Sequence, residues 1–182
     1  MKVIGISGTI IGEKMSAVVS RVLNEIQKVD PDVEVELLDL KDYQLEFCDG
    51  RDPETYNGDT KKVIEIMNSG DVFLFATPIF NASLSGPLKN LIDLTPVSTL
   101  RNKVMGFIAT GGTYQHYLVI ENQLKPIAGY FRAYVAPSSV YLTREHFNGN
   151  TLIEDEEILN RIGTLAHELV QMQKSLKVNV KV

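Results

Sequence analysis

The feature that most constrains this chain is a repeated change of hydrophobic period. Short, nearly unbroken apolar runs alternate with longer stretches in which apolar residues return every three or four positions. Val3–Ile6, Val72–Ala76 and Val104–Ala109 read as strands covered on both faces. Val33 to Leu38 alternates charged and apolar residues, as an edge strand does. Tyr134 to Leu142 reads as a last strand, interrupted by Pro137. Between these runs, Val18, Val22, Leu23, Ile26 and Val29 share one helical face, with Ser16 placed to cap the helix and Asp30-Pro31-Asp32 to stop it. Further helices are expected over Lys61–Asn68, ended by Ser69-Gly70, and over Gly86–Leu94, with Pro87 in its first turn. Two more follow, from about Gln115 to Ala128 and from Glu154 to about Lys174. Lys41 to Asp59 has weak periodicity and reads as a long, mobile surface connection.

Parallel strands need a crossover of a dozen or more residues, and each crossover here contains a helix. The expected fold is therefore α/β: a flavodoxin-like three-layer sandwich, a five-stranded parallel sheet of order 2-1-3-4-5 with helices on both faces. No linker divides residues 1–182, so one domain is expected. The tail over residues 176–182 alternates polar and apolar residues and reads as a frayed or extended end.

Composition removes several function classes. The formal net charge is −5 among 182 residues, with no cationic cluster to meet a phosphate backbone, so no nucleic acid is expected. The one cysteine, Cys48, admits no internal disulfide and no thiolate cluster; no metal site and no resolving thiol are expected. No stretch approaches a membrane span or a signal peptide, which points to a cytoplasmic protein with no membrane partner. His116, His146 and His167 lie apart, and surface or interface positions are the ordinary reading for them. Tyr114, Tyr117, Tyr130, Phe131 and Tyr134 read as an aromatic cluster in the core or at a subunit contact.

In an open parallel sheet, ligands bind beyond the carboxyl ends of the strands. Three loops leave such ends. Ser7 to Ser16 carries the hydroxyls of Ser7, Thr9 and Ser16 and the ammonium of Lys14, just before a helix start. Donors, a cation and a helix dipole make a phosphate cradle, although the loop is neither a P-loop nor a Gly-x-Gly-x-x-Gly turn. Taken alone, such a loop is more often a solvated turn.

The second loop is more informative. Thr77-Pro78-Ile79-Phe80-Asn81, followed by Ser85-Gly86-Pro87-Leu88-Lys89-Asn90-Leu91-Ile92-Asp93, resembles the NADPH-dependent FMN reductase family. The third loop, Ala109-Thr110-Gly111-Gly112-Thr113 with His116 and Leu124-Lys125-Pro126, resembles the reductase subunit of two-component sulfonate monooxygenases. Azobenzene and quinone reductases are close relatives of both. The resemblance covers roughly residues 2 to 172 and implies FMN as cofactor with NADPH or NADH as electron donor. It also implies roles. Thr9, Lys14 and Ser16 would hold the FMN phosphate. Thr77, Pro78, Ile79, Phe80 and Asn81 would follow the isoalloxazine edge. Thr110, Gly111, Gly112 and Thr113 would meet the pyrimidine side, glycine allowing close approach. Ser83, Ser85, Lys89, Asn90 and Asp93 would lie on a helix packed against another subunit of a homodimer or homotetramer.

The chain departs from the family at three places: Ile11 stands at a common arginine, Ile79 at a common glutamate, and Asn122 where the sulfonate-linked reductases often have an aromatic. The implied acceptors are free flavin, a quinone, an azo compound or a partner monooxygenase. Hydride transfer to a flavin needs no protein acid or base, so no catalytic residue is expected. The alternative is a flavodoxin-type electron carrier, which would sandwich its flavin between two aromatics and present a strongly acidic face.

Overall fold

The computed structural model describes residues 1–149 and 151–179. Its elements run β1 (Lys2–Ser7), α1 (Lys14–Val29), β2 (Glu34–Asp39), α2 (Gly58–Ser69), β3 (Val72–Phe80), β4 (Ser83–Leu84) and α3 (Gly86–Leu94). A short α4 (Val97–Leu100), β5 (Val104–Thr110), α5 (Lys125–Phe131), β6 (Tyr134–Val135) and β7 (Val140–Leu142) follow. The hairpin of β8 (Phe147–Asn148) and β9 (Leu152–Ile153) then leads into α6 (Glu156–Asn179).

The main sheet has seven strands rather than five, but its path is the expected one. The order β2-β1-β3-β5 is parallel throughout, and both β6 and β7 pair with β5 in parallel. These last two are one strand position cut in two: the peptide between Val135 and Val140 contains Pro137, which cannot donate to a ladder. The seventh strand, β4, is the return arm of an antiparallel hairpin on β3. The fold is thus the flavodoxin-like α/β sandwich.

Two apolar layers hold it. On one face, Val18, Val22 and Ile26 of α1 and Ile162, Leu165 and Leu169 of α6 pack on Val3, Leu74 and Ile108. On the other, Val63 and Met67 of α2, Leu88 and Leu91 of α3, and Leu124 and Phe131 pack on Ile4, Phe73, Phe75 and Phe107. Successive side chains of a strand point to opposite faces, so the unbroken apolar runs feed both layers at once.

Several expectations change. Glu13, not Ser16, precedes the first turn of α1; Ser16 lies inside that turn and its hydroxyl donates to the Glu13 carbonyl at 3.1 Å. The helix expected from Gln115 to Ala128 is a 3-10 turn at Tyr114–His116, a π-turn at Ile120–Leu124, then α5. Lys41 to Asp59 is held rather than loose: the Asn90 side chain accepts from the Cys48 amide at 2.9 Å and donates to the Glu46 carbonyl at 2.9 Å. The tail expected to fray from residue 176 instead continues α6 to Asn179, with Leu176 against the core and Lys177 Nζ 3.2 Å from Asp71. Residues 180–182 of that tail lie outside the described residues.

Candidate functional site

The three loops converge at the carboxyl end of β1, β3 and β5. Their residues Thr9, Ile11, Gly12, Glu13, Lys14, Met15, Pro78, Phe80 and Thr110 line a cleft of about 660 Å³. That volume is in the range of cofactor pockets.

The junction between the first two loops is dense. The Gly8 amide donates to Ala76 O at 2.8 Å. The Ser85 hydroxyl, fully buried, donates to the Gly8 carbonyl and accepts from the Leu88 amide at 3.3 Å, so one side chain caps α3 and ties it to the first loop. Thr77 Oγ1 accepts from the Ser85 amide at 2.9 Å and donates to the Pro78 carbonyl at 2.9 Å. Only glycine fits at position 8: a Cβ there would lie 2.5 Å from Ala76 O and 2.9 Å from Leu88 Cβ.

Beyond Gly8 the loop changes character. Thr9 is buried, its hydroxyl turned onto the backbone of Ile11. Ile10 and Ile11 are 64% and 76% exposed. Among the described residues no side chain caps the amino end of α1, and its first amides and the positive end of its dipole are directed at the cleft. Lys14 adds the cation, its Nζ 5.1 Å from the centre of the Phe147 ring.

The second wall is not the loop expected over Thr77–Ser85. β3 continues to Phe80, turns through Asn81 (φ 49°) and Ala82 (φ 62°), and returns as β4. Two successive left-handed residues make the type I′ turn that suits a twisted hairpin. Asparagine tolerates that conformation; alanine is strained there by roughly 1–2 kcal/mol. Phe80, 53% exposed, presents its ring to the cleft.

The third wall is braced from behind. The Gly111 amide donates to Leu142 O at 2.9 Å, and the Tyr141 hydroxyl donates to Thr113 O at 2.6 Å. A Cβ on Gly111 would lie 2.0 Å from that hydroxyl. Burial pushes the Tyr141 phenol up, which keeps it a neutral donor. Next to it, His146 Nδ1 accepts from the Thr143 amide at 2.9 Å, so in the neutral ring Nε2 carries the proton and donates to Tyr114 Oη at 2.8 Å.

Of the residues expected at the site, Thr9, Lys14, Pro78, Phe80 and Thr110 line the cleft directly. Asn81 sits at the hairpin tip, and Gly111, Gly112 and Thr113 continue the third wall. Thr77 and Ile79 support the second wall from inside, Thr77 by its two hydrogen bonds and Ile79 by pairing with Leu84. The Ser16 hydroxyl is taken by Glu13 O; what Ser16 offers the cleft is its place in the first turn of α1. Ser85 was expected to face a partner subunit and is buried instead. The five aromatics expected as one cluster separate: Tyr114 lies tilted against Tyr141 and edge-on to His146, and Tyr130 meets Phe131 edge-on. Sequence reasoning missed the bracing roles of Tyr141 and His146; the spacing Thr143-x-x-His146, in which the fourth residue can cap the first, was the available signal.

The donors at the α1 terminus, the Lys14 ammonium and the cleft size fit a flavin mononucleotide. Comparison with known proteins points to the same cofactor. The family described as NADPH-dependent FMN reductase matches over residues 1–147. The chain is 56% identical over 177 residues to an NAD(P)H-dependent FAD/FMN reductase of Geobacillus thermodenitrificans, covering 97% of this chain and 96% of that one. It is 26% identical over 147 residues to the NADH-dependent FMN reductase SfnF of Pseudomonas fluorescens, covering 81% and 79%. Among solved structures, the apo form of the NADH:FMN oxidoreductase EMOB shares the fold with a TM-score of 0.75 at 21% identity, over 93% of this chain and 89% of that one. The chain belongs to the NADPH-dependent FMN reductase family.

Proposed function

We propose that the cleft holds FMN with its phosphate on the α1 terminus and its ring along the hairpin, and that the protein reduces this flavin with NADPH or NADH. The observation that carries this reading is the convergence, in one cleft, of an uncapped helix terminus, Thr9 and Lys14 with the Pro78–Phe80 and Thr110 walls. Thr9, Lys14 and Ser16 hold the phosphate, largely through backbone amides. Thr77, Pro78, Ile79, Phe80 and Asn81 set the ring edge, and Thr110, Gly111, Gly112 and Thr113 its pyrimidine side. FMN, when bound, supplies the hydride acceptor at its N5 position and passes electrons on afterwards. The chain's task is orientation and exclusion. Phe80 is the aromatic among the described lining residues and would cover at most one face of a bound ring, which would leave the other for a nicotinamide and then an acceptor to stack upon. That open face favours the reductase over the electron carrier, which needs its ring covered.

The acceptor is a small molecule (free flavin, a quinone or an azo compound) or a partner monooxygenase, and the setting is the cytoplasm. Among the described residues no helix is long and apolar enough to cross a membrane. The exposed side of α3, with Lys89 and Asp93 paired at 2.7 Å, is the contact for a homodimer or homotetramer.

Anaerobic stopped-flow mixing of the FMN-loaded protein with NADPH, and separately NADH, tests the reading. Flavin absorbance is expected to bleach within about a second, in line with ordinary turnover rates. Tight FMN binding without bleaching by either donor would establish the carrier instead. Rates rising with added FMN would make flavin a substrate; rates independent of it would make flavin a resident cofactor.

A further inference from the structure

The hairpin that forms the second wall is held by a residue outside all three loops. Gln123, in the π-turn before α5, reaches the tip with both ends of its carboxamide. Nε2 donates to Ala82 O at 2.9 Å, and Oε1 accepts from Ser83 Oγ at 2.7 Å. The neighbouring Leu124 is buried in the core, so the backbone that carries Gln123 is fixed. The tip it grips needs gripping. Ala82 has φ 62°, in a turn position where glycine is the ordinary choice. Only two ladder positions, Ile79–Leu84 and Phe80–Ser83, otherwise close the hairpin among the described residues. So short a hairpin is marginal by itself.

We infer that Gln123 is a positioning residue for flavin binding: it holds the Asn81–Ala82 turn in its left-handed form and thereby fixes Phe80 and Asn81 at the ring edge. This rests on the flavin reading of the cleft. Gln123 touches the hairpin, not the cleft, so its effect passes through the turn. The amide orientation is set by its partners. The Ser83 hydroxyl could meet either end of the carboxamide, but the Ala82 carbonyl only accepts, so a flipped carboxamide would set two oxygens against each other there.

The test uses Gln123→Ala and the double variant Gln123→Ala with Ala82→Gly. Hydrogen exchange of the flavin-free protein reads the clamp directly. Exchange at residues 81–84 is expected to rise about tenfold in Gln123→Ala, the scale of one or two lost net hydrogen bonds, while the sheet amides keep their protection. FMN affinity, followed by quenching of flavin fluorescence, is expected to fall about tenfold, with a shifted visible flavin band. Glycine at position 82 removes the strain, so the double variant should regain most of the FMN affinity. A general loss of fold would move all amides and would not be rescued by glycine. Unchanged exchange at the tip overturns the inference whatever the flavin does. Faster exchange with unchanged FMN affinity and spectrum overturns it too, and in addition removes the hairpin from the flavin site. Failure of the intact chain to bind FMN would instead sink the reading of the cleft.

Discussion

The first and second walls of the cleft are built by opposite rules. The wall from β3 to α3 is satisfied from within: Thr77, Ser85 and Gly8 exchange buried hydrogen bonds, and Gln123 holds the hairpin tip. The wall from Gly8 to Lys14 is satisfied only at its root. Past Thr9 it exposes two isoleucines, and it ends in a helix without a side-chain cap. A planar ring gains most from a surface that is rigid before it arrives, because ordering side chains on binding costs affinity. A phosphate gains most from donors that have no other partner. The difference between the walls therefore matches the two ends of the proposed ligand.

The largest effect should come where the walls meet. Gly8→Ala places a methyl 2.5 Å from Ala76 O and 2.9 Å from Leu88 Cβ, and neither is the free end of a flexible side chain. We expect about 3 kcal/mol or more of lost stability, with FMN binding lost as well, read by chemical denaturation and flavin titration. An alanine that folded with native stability would mean that the junction is looser than its hydrogen bonds imply.

Ser85→Ala is a milder cut at the same point. It removes the donor to the buried Gly8 carbonyl and the cap on the Leu88 amide, yet leaves the backbone path unchanged. The expected loss is about 1–3 kcal/mol, a fall in Tm of several degrees for a chain this size. FMN affinity should fall with it, since both walls lean on this hydroxyl. A change in Tm without any change in affinity would separate the junction from the site.

The sheet order was legible because apolar runs fed to both faces admit little besides a covered parallel sheet, and Pro137 announced where the last strand would break. The cleft was legible in outline for the same reason: loops at the carboxyl ends of β1, β3 and β5 have to meet. What was illegible depended on contacts between distant residues. The Ser85 hydroxyl meets Gly8 across 77 positions, and no local pattern distinguishes it from an exposed helix cap. Ala82 in a left-handed turn contradicts local preference, so Asn81-Ala82 did not read as a hairpin; a tertiary clamp from Gln123 overrides that preference. At the other end, Leu176-Lys177 alternates like a strand, but the core under Leu176 and the carboxylate of Asp71 keep it helical. Propensity is a weak prior against such anchors.

Lys14 sharpens the comparison from the open side. Its ammonium is the cation of the first wall, near the unfilled amides of α1 and above the Phe147 ring. Lys14→Gln keeps much of the stem and removes the charge. It gives up one cation–π contact, worth about 0.5–1 kcal/mol where solvent reaches it, so stability should barely move. Affinity for FMN should fall roughly fivefold to tenfold, the worth of one charge-assisted contact to a partly solvated anion. Riboflavin, which has the same ring and no phosphate, should bind the variant and the parent chain equally, and the salt dependence of FMN binding should flatten. Equal losses for FMN and riboflavin would place Lys14 at the ring rather than the phosphate and reverse the assignment of the two walls. A loss confined to FMN, beside a Ser85→Ala variant that loses both ligands, would show that one wall recognises charge and the other shape.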